Sequence, residues 1–211
     1  MITVVGNLKG GAGKSTVAFN LAVWLARHGE RVTAFDLDPQ RTLTDVADVR
    51  AEEGYTPLFN LQYGGEELVD EIQQKSGEVI VDVGTANMDA VKAALAIADR
   101  IVIPVPPSQA DVWSTQRFLT LVNKITAEDN SPEVMVFVNR ADTHQAIRES
   151  DEAEAALADL DGIHLIRSRL CQRTAYRRSF SEGLGVFERK PSSKASKEFM
   201  LFAKILYPAV G

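Results

Sequence analysis

Asn7-Leu8-Lys9-Gly10-Gly11-Ala12-Gly13-Lys14-Ser15-Thr16 decides how this chain is read. An apolar run, 2–5, leads into it and an amphipathic stretch, 14–28, leads out, so the glycines fall between a strand and a helix. A triphosphate needs several backbone N–H groups aimed at one concave spot. Glycine permits the backbone angles and the close approach, and the helix N-terminus adds a favourable dipole. Gly10, Gly11, Ala12, Gly13, Lys14, Ser15 and Thr16 are therefore the expected phosphate cradle. Lys14 places a cation on the β- and γ-phosphates, and the Ser15 hydroxyl is a ligand for Mg2+. The usual spacing G-x-x-x-x-G-K-[ST] asks for glycine at position 8, where Leu8 stands. Lysine occupies position 9 instead.

Outward from the loop, short apolar runs alternate with longer amphipathic ones. The strand candidates are 2–5, 31–36, 78–82, 100–105, 133–139 and 162–167. The helix candidates are 14–28, 41–52, 65–76, 87–98, 110–127, 144–160 and 193–206, the first stopping at His28-Gly29. Continuous rather than alternating apolar strands are those covered on both faces. The expected fold is α/β: a doubly wound, mostly parallel sheet flanked by helices, with ligands at the carboxyl ends of its strands. Residues 53–65 and 183–193 are expected to be surface loops. A length of 211 residues fits one domain, 1–211, and 45% hydrophobic content suits a globular core. A net charge of −6 confines any nucleic-acid contact to a local patch. The single cysteine, Cys171, excludes an internal disulfide and an all-cysteine metal site. With no leader-like or bilayer-length apolar run, a soluble cytoplasmic protein is expected.

Two carboxylates, Asp36 and Asp38, close the strand at 31–36 within Asp36-Leu37-Asp38-Pro39-Gln40; if extended, both point to the phosphate site. Asp38-Pro39 also reads as a plain turn or helix start. Val79-Ile80-Val81-Asp82 is an apolar run ending in an acid, the usual form of a carboxylate that holds Mg2+. The Gly84 N–H lies close behind it. Ser108 or Asp111 can begin the helix after Pro106-Pro107. His28, His144 and His164 are scattered and read as structural or surface residues. Arg167, Arg169, Arg173, Arg177 and Arg178 crowd a twelve-residue stretch without an acid, a pattern suited to DNA phosphates. An ordinary solvated face paired with acids such as Glu182 is the other reading, and Arg173 could instead face the nucleotide. The segment 194–207 is amphipathic, with Phe199, Phe202, Ala203 and Leu206 on one face; a packed terminal helix explains it better than a membrane anchor.

The loop K-G-G-x-G-K-S and the sequence D-x-D-P-Q together resemble the ParA/MinD superfamily of ATPases, over essentially the whole chain. The likeness is strongest to the short ParA-type, ParF-like or McdA-like, partition and positioning ATPases. That resemblance implies a nucleotide-sandwich homodimer in which Lys9 reaches the partner's nucleotide. It implies that Asp36 orients the attacking water and also serves the metal, with Ser15 and Asp82. Asp38, Pro39 and Gln40 then answer to the γ-phosphate and the partner subunit. Asn139, in Asn139-Arg140-Ala141-Asp142, is expected to contact adenine, favouring ATP over GTP. The arginine patch is expected on non-specific DNA, which implies a nucleoid-associated protein, and a small ParB-like or McdB-like adaptor is expected to stimulate hydrolysis. Lys9 as a solvated loop residue remains the alternative at that position. A MinD-like membrane regulator is the alternative function, and a metal-cluster ATPase is disfavoured by the lone cysteine.

Overall fold

Residues 1–126, 131–144 and 148–210 are described in the computed structural model. Seven strands run in chain order: β1 (Ile2–Val5), β2 (Val32–Asp36), β3 (Asn60–Tyr63), β4 (Glu78–Asp82), β5 (Arg100–Val105), β6 (Glu133–Ala141) and β7 (His164–Cys171). They form one sheet in the order β3-β2-β4-β1-β5-β6-β7, and every adjacent pair is parallel. The expected doubly wound architecture is therefore observed, with no antiparallel strand among the described residues.

Strand side chains alternate between two cores. Val5, Ala34, Ile80, Val102 and Phe137 face one layer, while Val4, Phe35, Val81, Ile103 and Val136 face the other. The first layer is built from α1 (Lys14–Arg27), α2 (Thr42–Glu52), α7 (Thr174–Ser181), α8 (Val186–Arg189) and α9 (Lys194–Leu206). The second holds α3 (Val69–Gln74), α4 (Met88–Ala96), α5 (Gln109–Ile125) and α6 (Glu149–Ala158). Burial on both faces is why these strands read as unbroken apolar runs.

Helix ends follow local chemistry. Gly29 takes φ 83° just past α1, as the His28-Gly29 stop predicts. The Ser108 hydroxyl accepts from the Asp111 N–H at the start of α5. The face of α9 carrying Phe199, Phe202, Ala203 and Leu206 is fully buried.

Three features depart from the sequence reading. The stretch 53–65, expected as loop, contains β3, an edge strand that pairs with β2. The stretch 183–193 contains α8. The expected helix 65–76 is a 3-10 turn, Glu66–Leu68, followed by α3. The expected starts and ends of 144–160 and 110–127 fall partly outside the described residues. No helix among the described residues is long and apolar enough to cross a membrane.

Candidate functional site

β1 lies mid-sheet between β4 and β5, so the loop after it opens at the carboxyl edge where the strand order reverses. Asn7 staples that loop: its amide donates to the Pro104 carbonyl (2.9 Å) and its side-chain oxygen accepts from the Lys9 N–H (3.0 Å). Gly13, at φ 91°, turns the chain into α1, whose first bond runs from the Val17 N–H to the Gly13 carbonyl (3.0 Å). Asn139 supports the loop from β6, donating its amide to the Ala12 carbonyl at 2.7 Å. A side chain at Gly13 would collide with that same amide. Asn139 is thus engaged with the loop backbone as well as lining the neighbouring cavity.

The loop walls a cavity of about 410 Å³ with Gly10, Gly11, Gly13, Lys14, Ser15 and Thr16 on one side. Asp38, Gln40, Thr42, Thr85, Ala86 and Arg140 complete it. Lys14 is nearly buried, and its ammonium is held only by the Lys9 carbonyl at 3.4 Å among the described residues. Lys9 itself is exposed. The expected members of the cradle therefore converge, except that Ala12 is buried behind the loop and Pro39 lies exposed beside it. Thr42, Thr85, Ala86 and Arg140 were not anticipated.

Asp36, Asp38 and Asp82 separate sharply. Asp36 and Asp82 stand opposite each other at the ends of β2 and β4. Asp36 is fully buried, and one oxygen accepts from both the N–H and the hydroxyl of Thr44, each at 2.8 Å. Its other oxygen accepts from the Asp38 N–H at 3.2 Å. Burial raises its pKa, and the Thr44 bonds pull the other way. Asp36, expected to orient water and serve the metal, thus places both oxygens in bonds that fix α2 and the turn after β2. Asp38 is the carboxylate that borders the cavity. It packs so closely over Gly84 that any Cβ at 84 would overlap it, and it accepts from the Gln40 N–H at 3.0 Å. The β2 strand ends at Asp36, so the two acids do not continue one extended face.

Asp82 is also fully buried, and neither of its oxygens meets a partner at hydrogen-bonding geometry among the described residues. Burial pushes its carboxyl up to about 7, while the nearby Ser15 hydroxyl and Lys14 ammonium favour the anion. A buried carboxylate without a partner is costly, and it suits a site completed by a cation. Hard oxygen donors on Asp82 and Ser15 beside a phosphate cradle fit Mg2+.

A second cavity, of about 230 Å³, adjoins the first and shares Gly13, Thr16 and Arg140 with it. Its other walls include Asn139, Val17, Cys171, Gln172, Tyr176 and Phe180. Apolar and aromatic walls next to a phosphate cradle make a chamber of the kind a nucleotide base occupies.

The five arginines do not form one face. Arg167 and Arg169, two residues apart on β7, share one side of the strand and pair with Glu154, and Arg169 also meets Asp151 at 2.6 Å. Arg173 is clamped by Glu198 of α9 and, with Arg177, lines the second cavity. Arg177 and Arg178 are exposed on α7, with no ion pair among the described residues. The pairing acid is not Glu182, which holds Arg189 at 2.7 Å.

Known proteins are similar to this chain. The chain is 32% identical over 187 residues to protein ParA of Rhizobium radiobacter, covering 86% of this chain and 83% of that protein. It is 31% identical over 192 residues to maintenance of carboxysome distribution protein A of Gloeobacter kilaueensis, covering 89% and 84%. A plasmid partition protein from Borrelia burgdorferi, solved bound to AMPPNP, shares the fold with a TM-score of 0.74 at 18% identity, 98% of each chain being covered. Residues 3–186 match the CobQ/CobB/MinD/ParA nucleotide binding domain, which embraces both cavities almost entirely. The chain belongs to the CobQ/CobB/MinD/ParA nucleotide-binding family.

Proposed function

We propose that this chain is a slow, ATP-dependent dimerising ATPase that positions or partitions a cargo on non-specific DNA, with an adaptor protein that stimulates hydrolysis. The observation that carries the reading is the pair of lysines on one loop: Lys14 buried against the cavity floor, Lys9 exposed at its rim. An exposed ammonium at the rim of a phosphate site can serve a second copy's γ-phosphate, as an arginine finger does from another subunit. The relatives named for partition and carboxysome distribution supply the cargo class by analogy.

Asp82 and Ser15 would hold Mg2+, which, when bound, neutralises charge on the phosphate oxygens. The loop N–H groups and Lys14 bind and orient the phosphates. Asp38, not Asp36, is assigned to the attacking water, because its carboxylate borders the cavity while Asp36 is occupied by Thr44. Arg177 and Arg178 are assigned to DNA, since the remaining arginines of the stretch already hold acids. The membrane alternative loses support because Phe199 and Phe202 are packed inside the fold.

ATP binding and turnover of variants test this reading. Lys14→Ala should abolish binding, whereas Lys9→Ala should bind ATP normally and lose about 100-fold or more in turnover. Asp38→Ala should retain ATP without hydrolysing it. Wild-type turnover by Lys9→Ala overturns the trans-acting lysine. Wild-type turnover by Asp38→Ala returns the water-orienting role to another group.

A further inference from the structure

Among the described residues only two that are not glycine adopt positive φ: Arg41 at 56° and Arg140 at 55°. The left-handed region is unfavourable for an L-residue with a Cβ, so such positions persist where the surroundings hold them. Arg41 follows the turn after β2 and Arg140 lies at the irregular end of β6, both at the carboxyl edge of the sheet. Their side chains have different fates. The Arg41 guanidinium sits over the Tyr63 ring, 4.6 Å from its centroid. The Arg140 guanidinium has no ion pair or hydrogen bond among the described residues.

The reason for the left-handed backbone at 140 is in the ladder. The pairing of β6 with β7 slips between Phe137 and Asn139 and again between Asn139 and Ala141. Asn139 and Ala141 stay buried, and Arg140 is thrown outward between them. Bulges of this kind re-aim a side chain, and here the aim is informative. Arg140 lines both cavities, and its Nε lies 3.9 Å from where a Cβ on Gly13 would stand. It stands at the junction of the phosphate chamber and the apolar one. Of the residues lining the phosphate chamber, only Lys14 and Arg140 are cationic. Lys14 rises from the start of α1, leaving the junction to Arg140.

We propose that Arg140 binds the nucleoside-proximal phosphate of the nucleotide, as the cation that bridges the two chambers; this rests on the nucleotide reading above. A guanidinium there acts on the part of the phosphate chain that ATP and ADP share. It therefore sets affinity for both nucleotides and does not distinguish them.

Titration of ATP and ADP, each with Mg2+, into the 211-residue chain and its variants decides the matter. Arg140→Ala and Arg140→Gly should each weaken both nucleotides by the same factor, about 10- to 100-fold. Arg140→Gly relieves the left-handed backbone, so its loss would belong to the side chain and not to the backbone conformation. Arg140→Lys should stay within about threefold of wild type. Arg41→Ala, matched in backbone conformation, should leave both affinities unchanged. Wild-type affinity in Arg140→Gly, or a loss confined to ATP, would overturn the proposal, as would Arg140→Lys binding as weakly as Arg140→Ala. Lys14→Ala in the same titration reports on the site itself. If it fails to bind while the Arg140 variants bind normally, only this assignment falls; if wild type takes up no nucleotide, the functional reading falls with it.

Discussion

Replacing Arg50 with methionine should cost this fold about 3 kcal/mol, and the figure follows from what the guanidinium holds. Arg50, in the last turn of α2, is 1% exposed in its side chain. It bonds the Glu188 carboxylate through both Nη1 (2.8 Å) and Nη2 (3.0 Å), and it also donates to the carbonyls of Gly183 (3.0 Å) and Pro57 (3.1 Å). Glu188 is only 7% exposed. Without Arg50 it keeps the Gly185 N–H at 2.8 Å and the half-exposed Arg27 at 3.2 Å. Breaking a buried pair by removing one partner costs roughly 3–5 kcal/mol, because the other charge is stranded. The surviving Arg27 contact places the expectation at the lower end. For a chain of this size that corresponds to a fall in Tm of about 6–12 °C. Equilibrium urea denaturation measures it, with Arg50→Met/Glu188→Gln closing the cycle. Because Glu188→Gln removes the stranded charge, the double variant should recover about half of the loss. A cost below about 1 kcal/mol, or strict additivity, would refute the reasoning.

Cys171 lines the apolar chamber, and burial together with Glu198 pushes its thiol up, so alkylation should be slow at pH 8, accelerate as pH rises and be slowed further by ATP; a rate indifferent to nucleotide would place the base elsewhere. The Asp82 carboxyl, lifted by burial from an ordinary value near 3.8 to about 7, takes up a proton on folding between those limits. Its stabilising contribution is full below about pH 4 and lost as pH rises through about 7, so Asp82→Asn should raise the metal-free urea midpoint at pH 8 and flatten that slope; an unaltered slope contradicts the burial argument. Arg178→Ala should weaken retention of the ATP-bound protein on DNA at low salt with nucleotide affinity intact, and adding Arg177→Ala should abolish retention, while Arg167→Ala should retain DNA; the reverse pattern in a retention assay would move the contact to β7.

What sequence made legible, and what it hid, divides along chain distance. The glycine loop, the apolar runs and the His28-Gly29 stop are local signals, and each sits where its own residues dictate. β3 was hidden because Asn60-Leu61-Gln62-Tyr63 is an edge strand, half exposed and four residues long, with no apolar run to announce it. The start of α7 at Thr174 was hidden inside a stretch read chiefly for its charge. Spacing suggested that Asp36 and Asp38 share a direction, but the strand ends between them and Thr44 captures the first. The arginine stretch looked unpaired because its acids, Asp151, Glu154 and Glu198, lie 13 to 25 residues away. Arg140 was visible only as the residue replacing lysine after Asn139. Its outward turn depends on a register slip against β7, which no single segment encodes.

ATP turnover per protomer, followed across a dilution series with Mg2+ present, tests the two-lysine site most directly. The account predicts that specific activity rises with protein concentration to a plateau, and that Lys9→Ala protomers mixed with wild type poison it beyond simple dilution. Specific activity that is constant on dilution, together with full turnover by Lys9→Ala, would contradict it.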